Sequence, residues 1–409
     1  MSREPAPIIG RERMFLPGKK RVLTLDGGGT RGIVSIMFLK RMETLLREQS
    51  GRPDLVLADV FDIVAGTSVG SMLATMVALG HAADDIEAVF LDLAPKIFAG
   101  RVTMFGHHRF DARPLVNGIR HVVKDRTLGS DDLRTGLVIV AKRADTGSVW
   151  VLSNNPRMPF YEDGPDWDGN KHYKLETLIR ASTAAPFLFT PTEIVVHTNR
   201  FGKEVKGLFV DGGVSPHNNP SLQLLLMAAL PSYKLDWTLS PDDLMLISVG
   251  TGSHRTPIEG VGRVIKNTFL RGTLGRERCD DIDAAAFAAK TLQSVINDNS
   301  AFVLKLMQSV SRPRFSWKIN SEVGDLSADL LLGALRERGT QQELLRFQRY
   351  DLPLETGGVV PSRYDIQASM AERIAMQPID KPENIPKLRA WAEEVAHKQV
   401  SLEDFAGFL

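Results

Sequence analysis

The 409-residue sequence holds a single cysteine, Cys279. One thiol excludes an intramolecular disulfide framework and any cysteine-clustered zinc site, and it suits a reducing, cytoplasmic setting. Net charge is just as scarce: 50 Lys and Arg stand against 49 Asp and Glu, a formal charge of +1. A dedicated nucleic-acid binder carries a strongly basic domain, so no nucleic-acid polymer is expected as a partner. Long apolar runs are also missing. The first twenty residues mix both charge signs with Pro5, Pro7 and Pro17 and offer no core for a secretory leader. The stretch Ile63–Ala83 carries no formal charge, and a membrane span needs about 20 apolar residues. It contains three glycines, two threonines and two serines, and reads instead as a buried strand (Asp59–Ala65), a glycine turn and a helix (Val69–Leu79) that breaks at Gly80. What remains, 43% hydrophobic and 24% charged, is the composition of a soluble globular protein. The length allows two or three domains at roughly 100–200 residues each.

Arg21–Asp26 (RVLTLD) alternates and is apolar or β-branched enough for a strand. It runs into Gly27–Gly32 and then into a helical pattern from Ile33 to Gln49. The same strand, glycine loop and helix recur at Phe61–Leu79, which predicts an α/β fold: a doubly wound, mostly parallel sheet flanked by helices. Further strands are expected at Leu137–Lys142, Val149–Ser153, Glu193–Thr198, Gly207–Asp211 and Leu244–Val249, with helices at Tyr173–Ser182 and Leu222–Ala229. After Gly252 the texture changes. Arg255, Arg263, Lys266, Arg271, Arg276 and Arg278 form a loosely basic stretch, and helical patterns follow at Ile282–Ser309 and Leu326–Arg338. Asp280-Asp281-Ile282-Asp283 reads as an N-cap for the first of these. The expected organisation is an N-terminal extension (1–20), an α/β body (21–255) and a mainly helical C-terminal region (256–409) serving as a lid, a regulatory element or an oligomer interface.

Two glycine turns carry chemistry. Gly66-Thr67-Ser68-Val69-Gly70 is a G-x-S-x-G between an apolar strand and an apolar helix, the setting in which a serine Oγ is presented on a sharp, strained bend. The helix that follows points its first amides at the same place, favouring developing negative charge. An ordinary glycine turn is the bland alternative. Asp26-Gly27-Gly28-Gly29-Thr30-Arg31-Gly32 leaves successive amides unobstructed, as an anion-binding nest or an oxyanion hole requires. Arg31 adds a positive charge there, or pairs with a surface carboxylate. A nucleophilic serine needs a base within hydrogen-bond reach. Of nine histidines, only His217 and His254 follow predicted strand ends beyond Ser68. The stronger candidate is Asp211, which ends an apolar strand ahead of Gly212-Gly213; at the carboxyl edge of an open sheet it would sit where ligands bind. The competing reading is a turn aspartate, since Asp-Gly is a common turn pair.

These three motifs occur in one order, with Ala181-Ser182-Thr183-Ala184-Ala185-Pro186 between the last two and Asn218-Asn219-Pro220 after them. Together they resemble the patatin-like phospholipase family of lipid acyl hydrolases, over roughly Arg21 to Gly252. The resemblance implies a Ser–Asp dyad, with Ser68 as nucleophile and Asp211 as base. It implies an oxyanion hole from the Gly27, Gly28 and Gly29 loop with Arg31 nearby, and a nucleophile elbow framed by Gly66, Val69 and Gly70. It needs no metal or cofactor. The implied substrate is a membrane lipid ester met at a bilayer surface, by a cytoplasmic protein with peripheral or transient membrane association. Bacterial members switched on by a signalling nucleotide extend the expectation to a small nucleotide effector, and an oligomer is compatible with it.

Two other classes compete. An actin-like phosphotransferase uses similar glycine loops for phosphate, with Gly250-Thr251-Gly252-Ser253 as a second loop, but follows its first loop with a hairpin, whereas Ile33–Gln49 reads as helix. A catalytically silent interaction module would not need nucleophile, base and oxyanion loop together. His107-His108 with Asp111 lacks a third ligand at metal spacing and reads as solvated loop. The basic stretch is surface or a contact for anionic lipid headgroups or a regulatory ligand. A charge of +1 gives no global attraction to anionic lipid, so membrane engagement should rest on a local patch or a conformational switch.

Overall fold

The computed structural model describes residues 10–99, 109–165, 167–199, 201–256, 258, 276–312, 319–321, 324–326, 343–355 and 366–409. Strands β1 (Lys20–Leu25), β2 (Ile63–Thr67) and β3 (Gly136–Arg143) alternate with helices α1 (Gly32–Ser50), α2 (Val69–Ala78), α3 (Ala83–Ala99) and α4 (Arg113–Val123). There follow β4 (Val149–Ser153), α5 (Leu175–Ser182), β5 (Thr192–Thr198), β6 (Glu204–Asp211), α6 (Ser221–Ala229), β7 (Leu244–Val249) and the long helix α7 (Arg276–Ser309). A small antiparallel ladder, β8 (Ile319–Ser321) with β9 (Gly324–Leu326), precedes β10 (Arg346–Tyr350), α8 (Met370–Ala375) and α9 (Ile385–Gln399).

The main sheet runs β10-β7-β1-β2-β3-β6-β5, with β4 also on β3. From β10 to β3 every pairing is parallel; β4, β6 and β5 are antiparallel. Burial follows this division. The strands β2 (IVAGT) and β7 (LMLISV) are buried at every position, as strands covered on both faces must be. β6 (EVKGLFVD) instead alternates exposed and buried residues along its second half. The period-2 geometry splits the core into two layers. Leu23, Leu25 and Val64 pack with α1, α2, α3, α4 and α9, while Val22, Ile63 and Ala65 pack with α6 and α7.

Several expectations need correction. α7 begins at Arg276, so Asp280–Asp283 lie inside the helix and do not cap it. Arg276–Arg278 are good helix formers, and acidic residues suit the opening turns as well as the cap. Leu326 ends a strand; the rest of the expected helix at 326–338 lies outside the described residues, as do His107, His108, Arg263, Lys266 and Arg271. The sheet also does not stop near residue 255, because β10 pairs in parallel with β7.

Candidate active site

β3 brings the two motifs together. Its residues 136–140 pair with β2, residues 138–142 pair with β4, and residues 141–143 pair with β6. A strand has two edges, so β2 and β6 share one edge of β3 and meet end to end between Val140 and Ala141. Thr67 lies opposite Val140 and Asp211 opposite Ala141. The residue after Thr67 is Ser68, which therefore leaves its strand at the point where Asp211 arrives. Asp211 was expected at the carboxyl end of a strand, and it is the last residue of β6, which runs antiparallel to β3 and reaches the Ser68 turn from the opposite direction.

Ser68 caps α2 with φ +54° and ψ −129°, a costly conformation for a residue with a side chain. The turn closes so tightly that a Cβ on Gly66 would lie 2.0 Å from the Gly70 carbonyl oxygen, and one on Gly70 would lie 2.3 Å from that of Leu25. Val69 packs behind the turn, its Cγ2 2.9 Å from where a Gly32 Cβ would stand. The Ser68 amide donates to Ser182 Oγ at 2.9 Å, and that hydroxyl donates to the Val140 carbonyl at 2.7 Å. Ser182 thus anchors the elbow from within the Ala181–Pro186 block, a role that spacing alone does not reveal.

Ser68 Oγ donates to Asp211 Oδ2 at 2.6 Å, and the Gly213 amide donates to Asp211 Oδ1 at 2.7 Å. Burial pushes the Asp211 carboxyl up to about 6, while the Ser68 hydroxyl, the Gly213 amide and the field of Arg180 pull it back. At neutral pH it is ionised and able to take a proton. The Ser68 hydroxyl donates to neither histidine. The His217 carbonyl accepts from Thr67 Oγ1 at 2.6 Å, and His254 Nδ1 accepts from Arg31 Nη1 at 3.0 Å. Burial and the neighbouring Arg31 drive His254 down to about 3, so its ring is neutral.

In the glycine loop, the Gly27 amide donates to the Asn218 carbonyl at 3.1 Å and the Thr30 amide to that of Ile379 at 2.8 Å. Gly27 is therefore corrected as an oxyanion donor: its amide is engaged, and its lack of a side chain lets Ser68 Cβ stand 3.0 Å from where its own Cβ would be. Gly28 and Gly29 line the cavity wall, which leaves their amides as the candidate donors. Gly28 is fixed by its neighbour, since a Cβ there would lie 2.2 Å from Thr251 Oγ1. Arg31 is buried, and burial lowers it to about 10, so it keeps its charge at neutral pH.

Ser68, Asp211 and this loop open onto one cavity of about 1100 Å³. Its remaining wall is largely apolar, with Met72, Phe90, Ile97, Leu115, Phe189 and Ile296 among the lining residues. The contributions of α3 and α4 were not foreseen, although Phe90, Leu93 and Ile97 recur at helical spacing. Among the described residues no group of three or more His, Cys, Asp or Glu is placed to hold a metal ion. No described helix is long and apolar enough to cross a membrane.

Residues 23–225 match the family model described as patatin-like phospholipase. The chain is 30% identical over 237 residues to the cGAMP-activated phospholipase of Escherichia coli (strain TW11681), covering 56% of this chain and 62% of that protein. It is 29% identical over 245 residues to Patatin-15 of Solanum tuberosum, covering 57% of this chain and 60% of that one. The chain thus spans about six-tenths of the length of these curated relatives. Among solved structures, VipD from Legionella pneumophila aligns over 94% of this chain and 67% of its own, at 11% identity and a TM-score of 0.33.

Proposed function

Residues 23–225 are a patatin-like phospholipase domain, and from that premise we propose that the protein is a lipid acyl hydrolase of the phospholipase A type. It cleaves fatty-acyl esters of membrane lipids through an acyl-enzyme. One observation carries this reading: the strained Ser68 donates its hydroxyl proton to the buried Asp211 at 2.6 Å. Asp211 takes that proton as Ser68 Oγ attacks the ester carbonyl. The Gly28 and Gly29 amides hold the tetrahedral oxyanion, with Arg31 adding its charge nearby. Asp211 returns the proton to the leaving alcohol. A water activated by the same carboxylate then releases the fatty acid, restoring the serine. The apolar cavity wall is suited to an acyl chain, since burying hydrocarbon gains roughly 0.8 kcal/mol per methylene.

The phosphotransferase alternative loses its footing because α1 follows the first glycine loop directly, where that fold needs a hairpin. Regulation by a small nucleotide is the second part of the reading. It is supported by the name of the Escherichia coli relative, which is cGAMP-activated. We place the protein in the cytoplasm, meeting the bilayer only at its surface.

The test is mass spectrometry of the products from mixed membrane lipids, with wild type and Ser68→Ala, each with and without cGAMP. Free fatty acid and lysolipid from the wild type alone are expected, rising with the nucleotide. Equal product from both proteins would remove the dyad; no response to the nucleotide would remove the effector and leave the hydrolase.

A further inference from the structure

The glycine loop starts at Asp26, and the carboxylate of Asp26 is gripped by a residue 323 positions away. Arg349 of β10 donates from Nη1 to Asp26 Oδ1 at 3.0 Å and from Nη2 to Oδ2 at 2.7 Å, a bidentate fork. The same guanidinium donates to Ser248 Oγ and to Asp351 Oδ2, both at 2.7 Å. Asp351 accepts the Gly252 amide at 2.8 Å through its other oxygen. Its backbone is clasped by Gln399 of α9, through an amide donated to Oε1 at 3.0 Å and a carbonyl accepting from Nε2 at 2.7 Å. Next to Gly252 is Thr251, whose hydroxyl donates to the Gly27 carbonyl at 2.8 Å and which fills the space beside Gly28. Arg349 therefore holds the loop twice: at its first residue, and through Asp351 at the Thr251–Gly252 turn behind it.

Buried ion pairs of this kind seldom add stability over apolar residues of similar volume. What a guanidinium fork supplies is fixed geometry. We infer that Arg349 is a positioning residue for the oxyanion loop, its bidentate hold on Asp26 setting where the Gly28 and Gly29 amides stand relative to Ser68 Oγ. The chemistry of residues 23–225 then depends on a strand and a helix from beyond them. This rests on the hydrolase reading above.

The experiment measures kcat and KM on a soluble ester, p-nitrophenyl butyrate, for wild type, Arg349→Lys, Asp26→Asn and the double variant, with thermal melts of each. Arg349→Lys keeps the charge and loses the fork. It should lower kcat about 100-fold, as an ångström-scale misplacement does, with KM within about threefold. Asp26→Asn should do the same, and the double variant should be no slower than Arg349→Lys alone, because changes acting through one contact do not add. A loss of kcat without KM in proteins that melt above the assay temperature is not what a general loosening of the fold gives. Full kcat in folded Arg349→Lys, a loss confined to KM, or losses that multiply in the double variant would each overturn the inference. Should Arg349→Lys melt below the assay temperature, Asp26→Asn decides alone, since it keeps the Arg349–Asp351 pair; full kcat there overturns the inference. Wild type and Ser68→Ala hydrolysing equally would overturn the hydrolase reading, and this inference with it. A wild type active only through Ser68, beside a fully active Arg349→Lys, would overturn this inference alone.

Discussion

Two buried carboxylates close two strands of the sheet, Asp26 after β1 and Asp211 at the end of β6, each 4% exposed. Burial pushes both up to about 6. Their surroundings then differ. Asp26 lies in the parallel half of the sheet against the fork of Arg349, so its charge is fixed in place. Asp211 lies at the antiparallel end. Among the described residues no cation comes within ion-pair distance of it; its partners are the Ser68 hydroxyl and the Gly213 amide. On the function proposed above, the carboxylate that meets a transferable proton serves as the base, and the one held by a guanidinium serves as a fixture.

The sharpest way to break this comparison is to neutralise Asp211. Asp211→Asn should lower kcat/KM on the order of 10⁴-fold, with Ser68→Ala at least as severe, both measured on a soluble ester. Stability should move the other way. The folded-state value of about 6 exceeds the ordinary 3.8, so this carboxyl supports the fold fully only below 3.8, and that support is lost as pH rises through 6. At pH 8 the Asn variant should therefore be more stable by about 3 kcal/mol in urea unfolding, a gain that disappears near pH 3. Removing the partner of the other carboxylate has the opposite sign. Arg349→Met leaves Asp26 and Asp351 buried without their cation and should cost roughly 3–5 kcal/mol. A destabilised Asp211→Asn at pH 8 would mean that the two sites are alike.

A smaller effect is expected on the loop between them. Gly28→Ala puts a methyl 2.2 Å from Thr251 Oγ1, so the loop and its amides must shift against Thr251. Kcat should fall about 10²–10³-fold, the range for losing one oxyanion donor, and urea unfolding should show a loss of roughly 1–3 kcal/mol, the cost of overpacking a buried position. An unchanged kcat would move the oxyanion site off this loop.

Ser68, Asp211 and the glycines were legible because their constraints are local. A serine at φ +54° and glycines whose Cβ would overlap neighbouring backbone leave a mark in residue type and spacing. The direction of β6 was not legible, since it is set by pairing with β3 and not by its own composition. β10 was not legible. RFQRY carries three polar residues in a strand with four of five positions buried, and what makes Arg349 tolerable there is, besides Asp351 two residues on, a carboxylate 323 residues earlier. No window of sequence contains that pair. The same holds for the cavity, whose apolar wall gathers residues from α3, the 183–189 segment and α7. Each reads locally as ordinary core.

The smallest effect expected concerns which group sets the pH dependence. If Asp211 is the base, kcat/KM rises with pH as its carboxyl ionises, with a midpoint near 6, and falls about tenfold between pH 7 and pH 5. An ordinary histidine would give nearly the same midpoint, so the limb alone does not separate the two. His254 is held near 3 by burial and Arg31, and burial also lowers His217 below its ordinary 6.5. His254 is therefore already neutral across the range where the limb falls, and no hydrogen bond joins the His217 ring to Ser68 or Asp211. His254→Gln and His217→Gln should therefore leave the midpoint where it is. They should change kcat by no more than about tenfold, His254 through its contact with Arg31, because neither ring gives or takes a proton. A limb that disappears in either variant would pass the base from the carboxylate to a histidine and make Asp211 a second fixture beside Asp26.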